Sequence, residues 1–172
     1  MRTLEPPDTH HFRAAIGWLE LGNTVEARAE LEKISVPQQN HPDVLEVRWL
    51  ICAEEKNWDA ALQAARTLVQ RAPKRSSGWV HQAYALRRVK GGGLQAAWEA
   101  LVPAYEKFPK ETIIPYNLSC YACQMSQLAE ALIWLQRALK IGKKEKIKQE
   151  KIKQMALTDP DLQPLWDEIR NL

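Results

Sequence analysis

Cysteine is scarce in this chain: three in 172 residues, Cys52, Cys120 and Cys123. An odd number builds no even-numbered disulfide framework, which points to a reducing, cytoplasmic compartment. Phenylalanine is scarcer still, with two, and glycine contributes only seven residues, three of them consecutive at 91–93. No stretch approaches the roughly 18 apolar residues of a membrane span, and the start, with Pro6 and Pro7, has no basic segment followed by an apolar run. No membrane role is expected. Neither charge sign dominates, since 24 Lys and Arg face 21 Asp and Glu for a net +3. The balance is uneven along the chain: residues 1–86 carry 10 basic against 11 acidic side chains, and residues 87–172 carry 14 against 10. At this length one domain can bury its own core without a disulfide or metal staple.

What the chain does have is repetition. Ala27, Leu31 and Ile34 share the pattern of alanine, then apolar residues four and seven positions on, with Ala61, Ala65 and Leu68, with Ala97, Leu101 and Ala104, and with Ala131, Leu135 and Ala138. The alanines are 34, 36 and 34 residues apart. Such spacing lines one helix face, and alanine lets a second helix come close. That second helix lies upstream, from about Ser76 to Val89 in the third unit and from about Tyr116 to Gln124 in the fourth. Gly22-Asn23 and Lys56-Asn57 mark turns within a pair, while Pro37, Pro42, Pro73 and Pro109 fall between pairs. Gly91-Gly92-Gly93 lengthens the third turn and accounts for the 36-residue step. A phosphate cradle would need a preceding strand and a following GKS or GKT, and neither is present.

On these residues the chain resembles the tetratricopeptide repeat family over about residues 8–142. Tyr116-Asn117-Leu118 through Ala131-Leu132 and Ala138-Leu139 is the most typical stretch. Trp49 departs from the pattern, standing midway along a first helix where the family has a small residue. The resemblance implies an all-α, right-handed superhelical solenoid of about four antiparallel helix pairs with a C-terminal capping helix. The pairs fall at about 8–41, 42–75, 76–111 and 112–142, and residues 143–172 hold a basic helix and the cap, all within a single domain. In the cap, Asp159 precedes Pro160, and Leu162, Leu165, Trp166 and Ile169 follow at helical spacing.

The resemblance further implies a non-enzymatic scaffold or adaptor that holds a peptide segment of another protein on a concave wall made by the first helices. The wall positions are Phe12 and Ile16 in the first pair, Leu50 and Glu54 in the second, Val80, Tyr84, Arg87 and Arg88 in the third, and Tyr116, Cys120 and Gln124 in the fourth. These suit a partner with hydrophobic anchors and an acidic group. The chain's own N-terminal segment, or a second copy in a homo-oligomer, is another candidate occupant. The Lys, Asn and Arg set with which some members grip the acidic end of heat-shock chaperones is not matched here.

No catalytic constellation, metal site or cofactor is expected. Cys120 and Cys123 form a CxxC inside a helix, away from the amides that would depress a thiol pKa, and no histidine stands at ligand spacing to them. Lys140 to Lys153 holds seven Lys against two Glu. It offers an alternative reading, a self-associating or nucleic-acid-linked module. The missing aromatic interleaving and the interrupting Glu145 and Glu150 favour a solvated helix instead.

Overall fold

A computed structural model describes residues 3–143 and 146–172, the side chains of 146–148 excepted. All ten α-helices among them follow the repeat spacing or belong to the C-terminal cover, and no strand occurs among the described residues. The chain divides into two compact units, Met1–Val89 and Lys90–Leu172.

The first unit contains α1 (Asp8–Glu20), α2 (Thr24–Glu32), α3 (Pro42–Glu54), α4 (Trp58–Arg71) and α5 (Ser76–Leu86). Helices α1 and α2 pack as one pair and α3 and α4 as the next, and α5 lies against α4 and α3. Each turn inside a pair uses the same device. Gly22 and Lys56 take left-handed backbone angles, φ +76° and +56°, and the following asparagine caps the next helix. Asn23 Oδ1 accepts from the Glu26 amide at 3.1 Å, and Asn57 Oδ1 from the Ala60 amide at 3.2 Å. The end of α2 is closed differently: Gln39 Nε2 donates to the Leu31 and Ile34 carbonyls at 2.9 and 2.6 Å, and Gln39 is itself held by the Arg48 guanidinium. At the start of α1, Asp8 accepts from the Ser35 amide and hydroxyl at 2.7 and 2.5 Å, which holds its carboxyl below the usual range.

The second unit contains α6 (Leu94–Lys107), α7 (Ile113–Gln124), α8 (Leu128–Gly142), α9 (Lys146–Thr158) and α10 (Trp166–Arg170), with a 3₁₀ segment at Pro160–Leu165. Ser126 repeats the left-handed turn at φ +62°. Gly142 lets α9 approach α8: a Cβ there would stand 2.7 Å from Ile152 Cδ1 and 3.3 Å from the Gln149 backbone. An aromatic group forms where Trp98 and Tyr105 of α6 meet Trp134 of α8 edge-on, at 5.8 and 5.0 Å, with Arg137 stacked 4.2 Å from Trp134.

All twelve residues of the recurring triplets are buried to 2% exposure or less. The expected cap also forms, with one change. Asp159 Oδ1 accepts from the Asp161 amide at 2.9 Å and Pro160 takes the first position, but the segment runs as a 3₁₀ turn before the short α10. Pro164 cannot donate to an α-helical ladder, which accounts for the interruption. Leu162, Leu165 and Ile169 are buried, as their spacing implies.

Candidate functional site

In the first unit, the expected wall positions come together along α1, α3 and α5, and they are not equally available. Phe12 and Ile16 are half-buried and pack, with Leu4 and Leu19, on the cluster formed by Ala15, Val47 and Ile51. The N-terminal segment thus contributes Leu4 to the same cluster. Leu50, 44% exposed, and Tyr84, 37% exposed, present apolar surface to solvent. Glu54 is exposed, while Val80, Arg87 and Arg88 are half-buried.

Tyr84 is held on three sides. The Arg88 guanidinium carbon lies 3.6 Å from the Tyr84 ring centroid and 5.1 Å from that of Trp58, and Arg88 also donates to the Tyr84 carbonyl at 3.0 Å. Trp49 meets Tyr84 edge-on at 5.8 Å, and Trp58 lies 5.9 Å away, tilted. Below Tyr84, Trp49 stacks flat on His81, with centroids 3.8 Å apart and planes 9° off parallel. This explains how a bulky indole fits a position where the repeat has a small residue: a flat imidazole from α5 faces it. Burial pushes His81 down to about 4, against the opposing field of Glu46. Glu46 in turn accepts from Ser77 Oγ at 2.6 Å and, with Asp43, from Arg75 at 3.5 and 2.5 Å. Sequence reading missed the part played by Trp49, Trp58 and His81, because the rings that meet stand 26 to 35 residues apart in sequence and share no helical period.

In the second unit the wall positions are occupied. Tyr116 and Cys120 are buried, at 5% and 3% exposure, beneath the segment 159–165, and only Gln124 reaches the surface. The Tyr116 hydroxyl donates to Asp159 Oδ2 at 2.9 Å, the Cys120 thiol to the same oxygen at 3.6 Å, and Gln124 Nε2 to the Asp161 carbonyl at 3.0 Å. Burial raises the Tyr116 hydroxyl pKa well above its ordinary value, with Cys120 and Asp159 adding to the shift. Both cysteines of the CxxC lie inside α7, and burial, with the Asp161 and Asp159 carboxylates, pushes the Cys123 thiol up. The surroundings of Cys123 thus do not activate a thiolate. Cys120, Asp159 and Asp161 bring potential ligand atoms within 4.8 Å of one another. Both Asp159 oxygens already accept hydrogen bonds, however, so a metal would have to undo the cap that orders the segment.

Of the basic run, Lys140, Lys143 and Lys151 are exposed, and Lys153 Nζ donates to the Arg170 carbonyl at 3.1 Å, at the C-terminal end of α10. Lys144 and Glu145, and the side chains of Lys146 and Lys148, lie outside the described residues. Among the described residues no helix is long and apolar enough to cross a membrane.

No family model and no curated protein matches the sequence. Solved structures do match. TTC0263, a thermophilic TPR protein of Thermus thermophilus, aligns with a TM-score of 0.65 at 17% identity over 96% of this chain and 100% of its own. The 41-to-end form of MamA from Desulfovibrio magneticus RS-1 aligns with a TM-score of 0.69 at 15% identity, over 99% and 97%. MamA of AMB-1 aligns at 0.61 and 14%, over 96% and 91%. The fold is the tetratricopeptide repeat. At these identities the likeness is one of backbone. It agrees with the 34-residue step, by which Leu50 and Tyr84 fall on the first helices of successive repeats.

Proposed function

We propose that the chain is a non-enzymatic interaction module that holds an extended segment of another protein along α3 and α5 of the first unit. Tetratricopeptide repeat folds are in general protein-binding modules. Leu50 and Tyr84 supply apolar contact, and Arg88, with Arg87 one residue away, supplies cationic donors for an acidic group of the partner. The observation that carries the reading is Tyr84, more than a third exposed although Arg88, Trp49 and Trp58 fix its ring. A side chain already immobilised loses little rotamer freedom when a partner lands on it, and rigid aromatic residues beside arginine are the usual carriers of binding energy. Three buried cysteines outside any disulfide support a reducing compartment, the cytoplasm, as its place of work.

A random-peptide display selection tests this. Peptides enriched on the wild-type chain should pair a hydrophobic anchor with Asp or Glu and should lose at least about ten-fold in affinity on the Tyr84→Ala, Arg88→Glu variant, the scale of one hot-spot contact. Equal binding to both proteins, with circular dichroism showing both folded, would remove α3 and α5 as the site.

A further inference from the structure

The second unit repeats the inner stripe of a first helix, but here it is occupied. Tyr116, Cys120 and Gln124 recur at four-residue steps along α7, so they share one face. The polar group of each meets the segment 159–165 through the hydrogen bonds to Asp159 and Asp161 described above. Leu162 and Leu165 go beneath it, neither more than 1% exposed.

The manner of this contact differs from that of the helix pairs. Elsewhere in the unit, α7 packs on α8, and both helices bury apolar residues, among them Leu118, Ala122, Ala131 and Leu135. Along this stripe a six-residue 3₁₀ turn and the aspartate before it are held through a carboxylate and a backbone carbonyl, and the two leucines of the turn are buried. A 3₁₀ run of that length has poor intrinsic geometry, so docking to the surface sustains it. The segment carries its anchoring aspartate at 159 and buried leucines three and six positions later. The following α10 has its own fastenings to α9, from Trp166 Nε1 to the Ala156 carbonyl at 3.0 Å and from Lys153 to the Arg170 carbonyl.

We infer that the inner face of α7 is a recognition site for an aspartate-led segment of a partner protein, of the form Asp-Pro-x-Leu-x-x-Leu, and that residues 159–165 are its built-in competitor. The site is separate from the α3 and α5 face, and neither reading depends on the other. Its selectivity follows from the groups on the page. A buried phenol, its hydroxyl held in the protonated, donating form, meets a carboxylate oxygen, and Gln124 at the rim meets a main-chain carbonyl. Because the resident segment is tethered, it competes at an effective concentration on the order of millimolar. A partner of equal intrinsic affinity is therefore largely excluded until the tethered copy is weakened.

The test is fluorescence anisotropy with a labelled peptide of residues 158–166 titrated against the full chain. Wild type should bind it weakly. Asp159→Ala, which removes the resident carboxylate and leaves α7 untouched, should bind the same peptide about ten-fold more tightly, the scale of one charge-assisted hydrogen bond. Adding Tyr116→Phe to that chain should reverse the gain, and a peptide with alanine in place of its own aspartate should not bind. Pro160→Gly, a change at an exposed residue, provides a second loosened chain should Asp159→Ala fail to fold. Unchanged affinity in the loosened chains, while hydrogen exchange shows residues 159–165 released, would make the segment a fixed wall and overturn the proposal.

Discussion

His81 shows how much a single side chain can carry. Stacked on Trp49 and held near pKa 4 by burial, it is neutral at neutral pH in the folded protein, whereas in the unfolded chain it titrates near 6.5. Below pH 6.5 the unfolded state takes up a proton that the folded state refuses. Its contribution to stability is therefore intact above pH 6.5 and is lost as the pH falls toward 4. The loss is at most about 3 kcal/mol. Urea midpoints measured from pH 7 to pH 4 should fall along this slope, and His81→Phe should flatten it. Asp8 and Glu30, held below the usual carboxylate range by Ser35 and by Lys33 with His11, add their own loss as the pH falls through the ordinary carboxylate range, Glu30 from near 4.5 and so overlapping the acid end of that window. Ser126 offers a simpler case. A serine at φ +62° pays for a left-handed backbone that glycine adopts freely, so Ser126→Gly should raise stability by about 0.5 kcal/mol once the extra freedom of the unfolded chain is subtracted. A thermal melt that falls instead would mean that the serine side chain is needed in the turn.

At the scale of the helix, the alanine stripes were fully legible in the sequence, because a step of about 34 residues taken three times leaves few other arrangements of i, i+4, i+7 triplets. Ala131 lies at no exposure, with its carbonyl taking the Ser119 hydroxyl at 2.7 Å. Ala131→Leu should therefore cost about 1–3 kcal/mol by overpacking, read as a lower urea midpoint. Gly142→Val should loosen α9 from α8 by a similar amount, seen as faster hydrogen exchange in α9, since the Gln149 backbone cannot turn aside as Ile152 Cδ1 can. Less was legible where two distant elements meet. The tyrosine and cysteine on the inner stripe of α7 are residues more often found inside than out, which hints at a cover, but nothing local names the segment 159–165 as that cover. The Trp49 and His81 stack was similarly hidden, because only the packing of α5 on α3 brings the two rings together.

For the whole molecule, the cysteines give a global readout. Cys52, Cys120 and Cys123 are buried at 1%, 3% and 3% exposure, and burial raises the Cys52 and Cys123 thiols. A thiol reagent should consequently label all three rapidly only in denaturant, and in native buffer at the rate at which each unit opens. Prompt native labelling of Cys120 alone would instead report that the segment 159–165 lifts without unfolding. The charge balance belongs to this scale as well. A net +3 is too small to direct association by itself, so binding of the partner proposed for α3 and α5 should respond only modestly to salt.

The recurring alanines also have a bearing on descent. A step of 34 residues that returns after a 36-residue step reads as one ancestral hairpin copied along the chain, with two residues gained in a glycine turn where the extra length touches no helix. In the first unit the inherited stripe of the second helices lies inside, while Leu50 and Tyr84 face outward from the first helices beside them. Duplicated copies can thus diverge on their outward faces while every copy keeps the same scaffold.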